Sequence, residues 1–274
     1  MARFGHRFGS IASVLALVGG MLLAPASAVA AATCEVTNAG TGTTYRTLQE
    51  AVDGSEEGDT LEVGGTCIGE TVIRTTRLRL KGIATPEQPT PTLDGARLSR
   101  VLTVVSARVV IRDLAITNGK ARSGGGINVS LANFLATRPL VTLRGDTSVT
   151  GNTARWYGGG IYNVGGTVIL NDSASVTGNT AGTEGGGIFN YGDLILNGLA
   201  SVTGNTAEDD GGGIYNVGGT VILNDSASVT GNTAGTEGGG IFTFEGRRVF
   251  VCSDEVAISP NDPDDPPKVR HVCP

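Results

Sequence analysis

An all-β solenoid, with one turn to each repeat of about 27 residues, is the fold this 274-residue sequence predicts. Three observations carry it. The stretch from Gly158 to Phe189, GGGIYNVGGTVILNDSASVTGNTAGTEGGGIF, recurs unchanged from Gly211 to Phe242. Ile127, Ile161, Ile188, Ile214 and Ile241 each follow three glycines, at intervals of 34, 27, 26 and 27. Gly makes up 43 of 274 residues without a G-X-Y period, and aromatics only 5%, which calls for many tight turns and excludes collagen.

Within one repeat three strand-like pieces stand out, GGGIYN, TVILN and SVTGN, and none has helical periodicity. Side chains alternate across a strand, so Ile161, Val168, Leu170 and Val176 are expected to face inward. Ile188, Leu194, Leu196 and Val202 follow one coil later. Such a coil cannot bury its core alone; stacking supplies the stability. The triple glycines suit positive φ or close contact between coils.

Residues 1–30 read as a signal peptide. Arg3 and Arg7 give the positive start, Ile11 to Leu23 the apolar stretch, and Ala26-Ser27-Ala28 or Ala28-Val29-Ala30 the cleavage site. Residues 31–58 form a lead-in with a capping helix over Tyr45–Val52, where Tyr45, Leu48 and Val52 share one face. Residues 59–250 hold the coils. Their first strands are expected in TVIRT at 71–75, RLRLKG at 77–82, VLTVV at 101–105 and VVIRDLAITNG at 109–119. The run 85–94 and the run 131–138 are loops. Residues 251–274 form a tail closed by a disulfide. Four Cys in an exported chain suit two bridges, and Cys34–Cys67 with Cys252–Cys273 would staple the two ends of the array.

The GGGI element stands at 158–161, 185–188, 211–214 and 238–241, and VTGN at 149–152, 176–179, 202–205 and 229–232. On these motifs the chain resembles right-handed parallel β-helix proteins of the pectin-lyase-like superfamily. Its repeat is similar to that of polymorphic outer membrane proteins, whose paired signatures are GGAI and FxxN. Gly stands here for Ala, and Val for Phe. The resemblance covers about residues 124–242 and implies a right-handed parallel β-helix of roughly seven coils. It also implies a role in adhesion, although the membrane barrel of those proteins is not expected here.

Six sets of side chains are candidates for function or framework. Asn152, Asn179, Asn205 and Asn232, with Asn118 before them, form one expected ladder, and Asn163, Asn190 and Asn216 a second. Stacked amides satisfy turn backbone, so both ladders read as structural. Tyr162, Phe189, Tyr215 and Phe242 form an aromatic stripe, which could hold a sugar or partner, or simply stack on itself. Ile169, Ile195 and Ile222, preceded by Thr142, make a parallel apolar stripe. Thr150, Thr177, Thr203 and Thr230 alternate with serines into a hydroxyl lattice similar to that of ice-binding solenoids. Glu184, Asp210 and Glu237 form an acidic stripe with Arg155 nearby. It is the place where a carboxylate pair or Ca²⁺ would serve sugar chemistry, and solvated turn charges are the simpler alternative.

The formal charge is −6, and −8 without Arg3 and Arg7. Such a balance, with no Lys/Arg-rich run, argues against nucleic acid. There is no P-loop and no GxGxxG opening a helix. Beyond Ca²⁺ no cofactor is expected. The reading is a secreted or cell-surface, monomeric, non-enzymatic protein that contacts an extracellular glycan or protein through a coil face, with no membrane span after signal removal. The alternatives are a polysaccharide lyase or hydrolase, and an ice-binding solenoid. The duplication favours a binding face: an enzyme needs one preorganised constellation, whereas a face can lengthen by copying.

Overall fold

A computed structural model describes Met1, residues 33–262 apart from 75–76, 87, 134, 245–247 and 260, and Cys273. The expected signal peptide beyond Met1 and most of the C-terminal tail after Asp262 lie outside the described residues.

The described chain is a parallel β-solenoid of about seven turns. Its strands stack into three ladders of 15, 7 and 5 strands. Pairing is in register, so like residues meet: Ile161 on Ile188, Val168 on Leu194, Leu170 on Leu196 and Val176 on Val202. All eight of these side chains have no exposed surface, as alternation requires. Each fully buried Ile, Leu or Val adds about 1.5–3 kcal/mol relative to exposure, and the column repeats it coil after coil.

Three details differ from expectation. GGGIYN and TVILN join as one strand, Ile161–Leu170, with a register irregularity between Val164 and Thr167 where Gly165 and Gly166 bend the chain. A short ladder built from Thr-Ala pairs, such as Thr153–Ala154 and Thr180–Ala181, turns the last corner. Asn118 does not head the Asn ladder. Thr117 aligns with Thr150, so Asn118 falls opposite Gly151, where a positive φ is needed. It takes φ 53° there, a conformation Asn tolerates.

The triple glycine has a steric cause. The first member has positive φ, 61° at Gly158 and 68° at Gly185. The second is pressed against the neighbouring coil: a Cβ on Gly186 would lie 2.4 Å from the carbonyl oxygens of Gly212 and Thr206.

At the N-terminal end the helix is shorter than expected, Leu48–Asp53, and buries Leu48, Ala51 and Val52. Thr47 caps it, its hydroxyl accepting from the Glu50 N–H at 3.2 Å. Tyr45 stays outside because the cap residue is extended; Tyr45 lies in the strand Thr44–Tyr45. Glu35–Asn38 pairs antiparallel with Thr60–Gly64 and so covers the exposed edge of the first coil. Both expected disulfides form, Cys34–Cys67 and Cys252–Cys273. Among the described residues no helix is long and apolar enough to cross a membrane.

Candidate functional site

The outer surfaces of the coils carry the candidate residues, and register decides what they touch. Glu184, Asp210 and Glu237 stack one per coil, because the N–H of Gly158 donates to the Glu184 carbonyl (3.1 Å), that of Gly185 to Asp210 (3.0 Å), and that of Gly211 to Glu237 (3.0 Å). The same pattern puts Tyr157 at the head of this acidic column. The Asp210 carboxylate accepts from the Glu237 N–H at 3.1 Å. Burial pushes the Asp210 carboxyl above its ordinary value, the Glu237 N–H opposes this, and the charges of Glu237 and Asp209 add to it. The Glu184 Oε2 is buried with no hydrogen-bond partner.

Arg155 does not join this column. Its Cζ lies 5.6 Å from the Trp156 ring, and that of Arg122 lies 5.4 Å from the same ring. Among the described residues no ion pair links Arg155 to Glu184, and no group of three His, Cys, Asp or Glu is placed to hold a metal ion.

The aromatic stripe is a continuous stack. Ring centroids are 5.2 Å apart for Tyr162 and Phe189, 5.4 Å for Phe189 and Tyr215, and 5.0 Å for Tyr215 and Phe242. Tyr157 adds a ring 5.0 Å from Phe189. It was not anticipated because it lies one residue before the duplicated segment. The rings cover one another, and Tyr215 is buried. Burial raises the phenol of Tyr215, and Glu184 and Asp210 raise it further; burial and then Tyr157 raise that of Tyr162.

Thr150, Thr177, Thr203 and Thr230 form one in-register row, all half-buried. Part of its hydrogen bonding is internal: the Thr203 hydroxyl donates to that of Thr177 at 3.2 Å. The two Asn ladders are fully buried. Asn163 donates to Asn190 (2.8 Å), and Asn190 to Asn216 (2.9 Å). A third ladder, Asn171, Asn197 and Asn224, went unanticipated although its spacing of 26 and 27 is written in the sequence.

The apolar stripe is longer than expected. Along the outer face of the large sheet one register row runs Val110, Thr142, Ile169, Ile195, Ile222 and Phe250. At its N-terminal end it enters a groove of about 540 Å³ lined by Arg77, Arg79, Arg108, Val110, Leu140 and Thr142. Sequence reading missed the arginines because alternation scatters them between apolar residues and leaves no basic run.

Residues 146–164 and 200–217 match the family model of the Chlamydia polymorphic membrane protein repeat. No curated protein and no solved structure matches the chain. The chain is thus a parallel β-solenoid with stretches similar to that repeat.

Proposed function

We propose that this chain is an extracellular, surface-associated binding protein that holds a glycan or protein partner on the outer face of its large sheet. The observation that carries the reading is the unbroken row Val110, Thr142, Ile169, Ile195, Ile222 and Phe250, in which four successive coils present a large apolar side chain outward. The run of apolar side chains on successive coils from Ile169 to Phe250 is what a docking surface presents. Similarity to a polymorphic membrane protein repeat supports a place at a cell surface, and two disulfides suit an oxidising compartment. The right-handed winding of pectin-lyase-like proteins belongs to the same reading. Binding of the purified chain to intact cells and immobilised glycans tests it. Ile195→Asn should weaken binding roughly tenfold, about 1.4 kcal/mol, with the melting temperature nearly unchanged. Binding indifferent to that substitution refutes it.

A second reading, a polysaccharide-cleaving enzyme, draws on the unpartnered Glu184 Oε2 in the column of Asp210. Glycan cleavage that disappears in Glu184→Gln would establish it.

A further inference from the structure

We propose that the N-terminal end of the large sheet's outer face is a binding site for a linear sulfated polysaccharide. The inference rests on the reading of this face as a binding surface and names its ligand.

Three adjacent strands build the site: Arg77–Gly82, Arg108–Arg112 and Leu140–Arg144. Their inward residues are apolar, so their outward positions are 77, 79 and 81, then 108, 110 and 112, then 140, 142 and 144. Six of these nine are cationic: Arg77, Arg79, Lys81, Arg108, Arg112 and Arg144. The whole chain carries −6, so this is a local reversal of its charge.

Register sorts five of the six cations into two rails, and Arg79 stands between them at the head of the Val110 row. Arg77 lies opposite Arg108, and Lys81 opposite Arg112 opposite Arg144. Neighbours in a rail are one strand spacing apart, about 4.8 Å, and the rails are separated by four residues of strand, about 13 Å. Between them run Val110 and Thr142, flanked by Leu140, and these line the groove. The result is a narrow floor, headed by Arg79 and continued by Val110 and Thr142, between two lines of positive charge that run along the solenoid axis.

Like charges directly opposite one another destabilise a sheet. Folding alone therefore gives no reason to keep them. The same rows change character in later coils: the first continues as Thr167, Asp193 and Thr220, and the third is followed by the hydrogen-bonded Asn171, Asn197 and Asn224. Three carboxylates touch the rails, Glu57 at 3.6 Å from Arg77, Glu62 at 2.9 Å from Lys81 and Asp113 at 3.1 Å from Arg112. Arg108 and Arg144, both exposed, have no ion pair among the described residues. The unpaired guanidiniums are free to form bidentate bonds with an oxyanion.

The geometry selects the occupant. A ligand must lie along the axis, rest an apolar surface on Val110 and Thr142, and offer anions on both sides at each coil step. A polysaccharide chain does this with its ring faces and its substituents. A polyuronate has one carboxylate per sugar, too few for two rails; sulfation supplies the second set. Single-stranded nucleic acid would need aromatic platforms for its bases, and none of the nine outward residues is aromatic.

The test is titration of the purified chain with heparin, polygalacturonate, neutral dextran and single-stranded DNA at several salt concentrations. Heparin should bind at least roughly tenfold more tightly than the others, with affinity falling as salt rises. Arg108→Glu/Arg144→Glu should weaken heparin binding by a further factor of roughly ten, while Arg46→Glu/Arg97→Glu, which changes net charge equally at exposed sites elsewhere, should leave it within about twofold. Circular dichroism checks that both variants fold. Equal losses from the two variants, or DNA or polygalacturonate binding as tightly as heparin, overturn the proposal. Cell binding that Ile195→Asn abolishes but heparin does not compete for refutes this inference and leaves the broader reading standing.

Discussion

The side-chain oxygen of Asn205 accepts two hydrogen bonds from Asn179, one from its side-chain amide at 2.9 Å and one from its backbone N–H at 3.0 Å. The Asn205 amide in turn donates to the Val176 carbonyl at 3.0 Å and to Asn232 at 2.9 Å. One wholly buried side chain thus satisfies two backbone groups of the preceding coil and also bonds the Asn232 side chain of the next. Asn205→Ala leaves the Asn179 N–H and one hydrogen of the Asn179 side-chain amide without their partner. Each stranded group costs about 1–3 kcal/mol, so destabilisation of about 3 kcal/mol is expected in denaturant melts. A loss below about 1 kcal/mol would show that water or a backbone shift replaces the ladder.

Two glycines in the duplicated repeat should respond very differently to alanine. Gly178 has φ 60° and open space around the position of a Cβ, so Gly178→Ala carries only the left-handed backbone term, about 1–2 kcal/mol. At Gly186 a Cβ would collide with backbone on two sides at 2.4 Å. Neither obstacle is the flexible end of a side chain. Gly186→Ala should separate the coils and cost about 3 kcal/mol or more, in line with overpacking at its upper range. Similar melting points for the two variants would contradict this account of the triple glycine.

The inward columns were legible because Ile161, Val168 and Val176 obey a period of two within strands and a period near 27 between them. Both periods follow from backbone geometry. Elsewhere the period failed. Arg77 and Arg108, 31 apart, and Arg108 and Leu140, 32 apart, are register partners, because loops interrupt these coils and shift the numbering. Without the register, the two cationic rails look like isolated arginines in RLRLK and RVVIR. Asn118 was misplaced by one residue for the same reason: NG at 118–119 resembles GN at 151–152 in composition, but not in order. Asn261 falls in the expected tail, yet its side-chain oxygen accepts from the Asn232 N–H at 3.0 Å and carries the ladder one rung further. A single residue outside the repeat gives no period to detect.

The aromatic column should be held together from its middle. Phe189 has ring neighbours at 5.0, 5.2 and 5.4 Å, whereas Phe242 has one at 5.0 Å. Each pair adds about 0.5–1.5 kcal/mol beyond burial. Phe189→Ala should therefore cost about 4 kcal/mol and Phe242→Ala about 2 kcal/mol, of which about 1 kcal/mol in each comes from half-burial. Equal losses at the two positions would mean that burial alone, not ring-to-ring contact, holds the column.

Asp210 gives the acidic column a pH signature. Burial raises its folded carboxyl above the ordinary value, and Glu237 and Asp209 reinforce the shift against the hydrogen bond from the Glu237 N–H. The folded chain therefore holds this proton more tightly than the unfolded chain. Stability from this group is present in acid, below the unfolded value, and is lost as pH rises through the raised folded value. At neutral pH the ionised Asp210 is thus a small cost. Asp210→Asn removes the charge and keeps an oxygen for the Glu237 N–H, so it should raise the melting temperature at about pH 7 and give no advantage at about pH 3, where the carboxyl is already neutral. The gain should stay below about 1 kcal/mol and shrink with added salt, because the group is partly exposed and its neighbours are screened. A gain that persists in acid would place the effect in packing and not in charge.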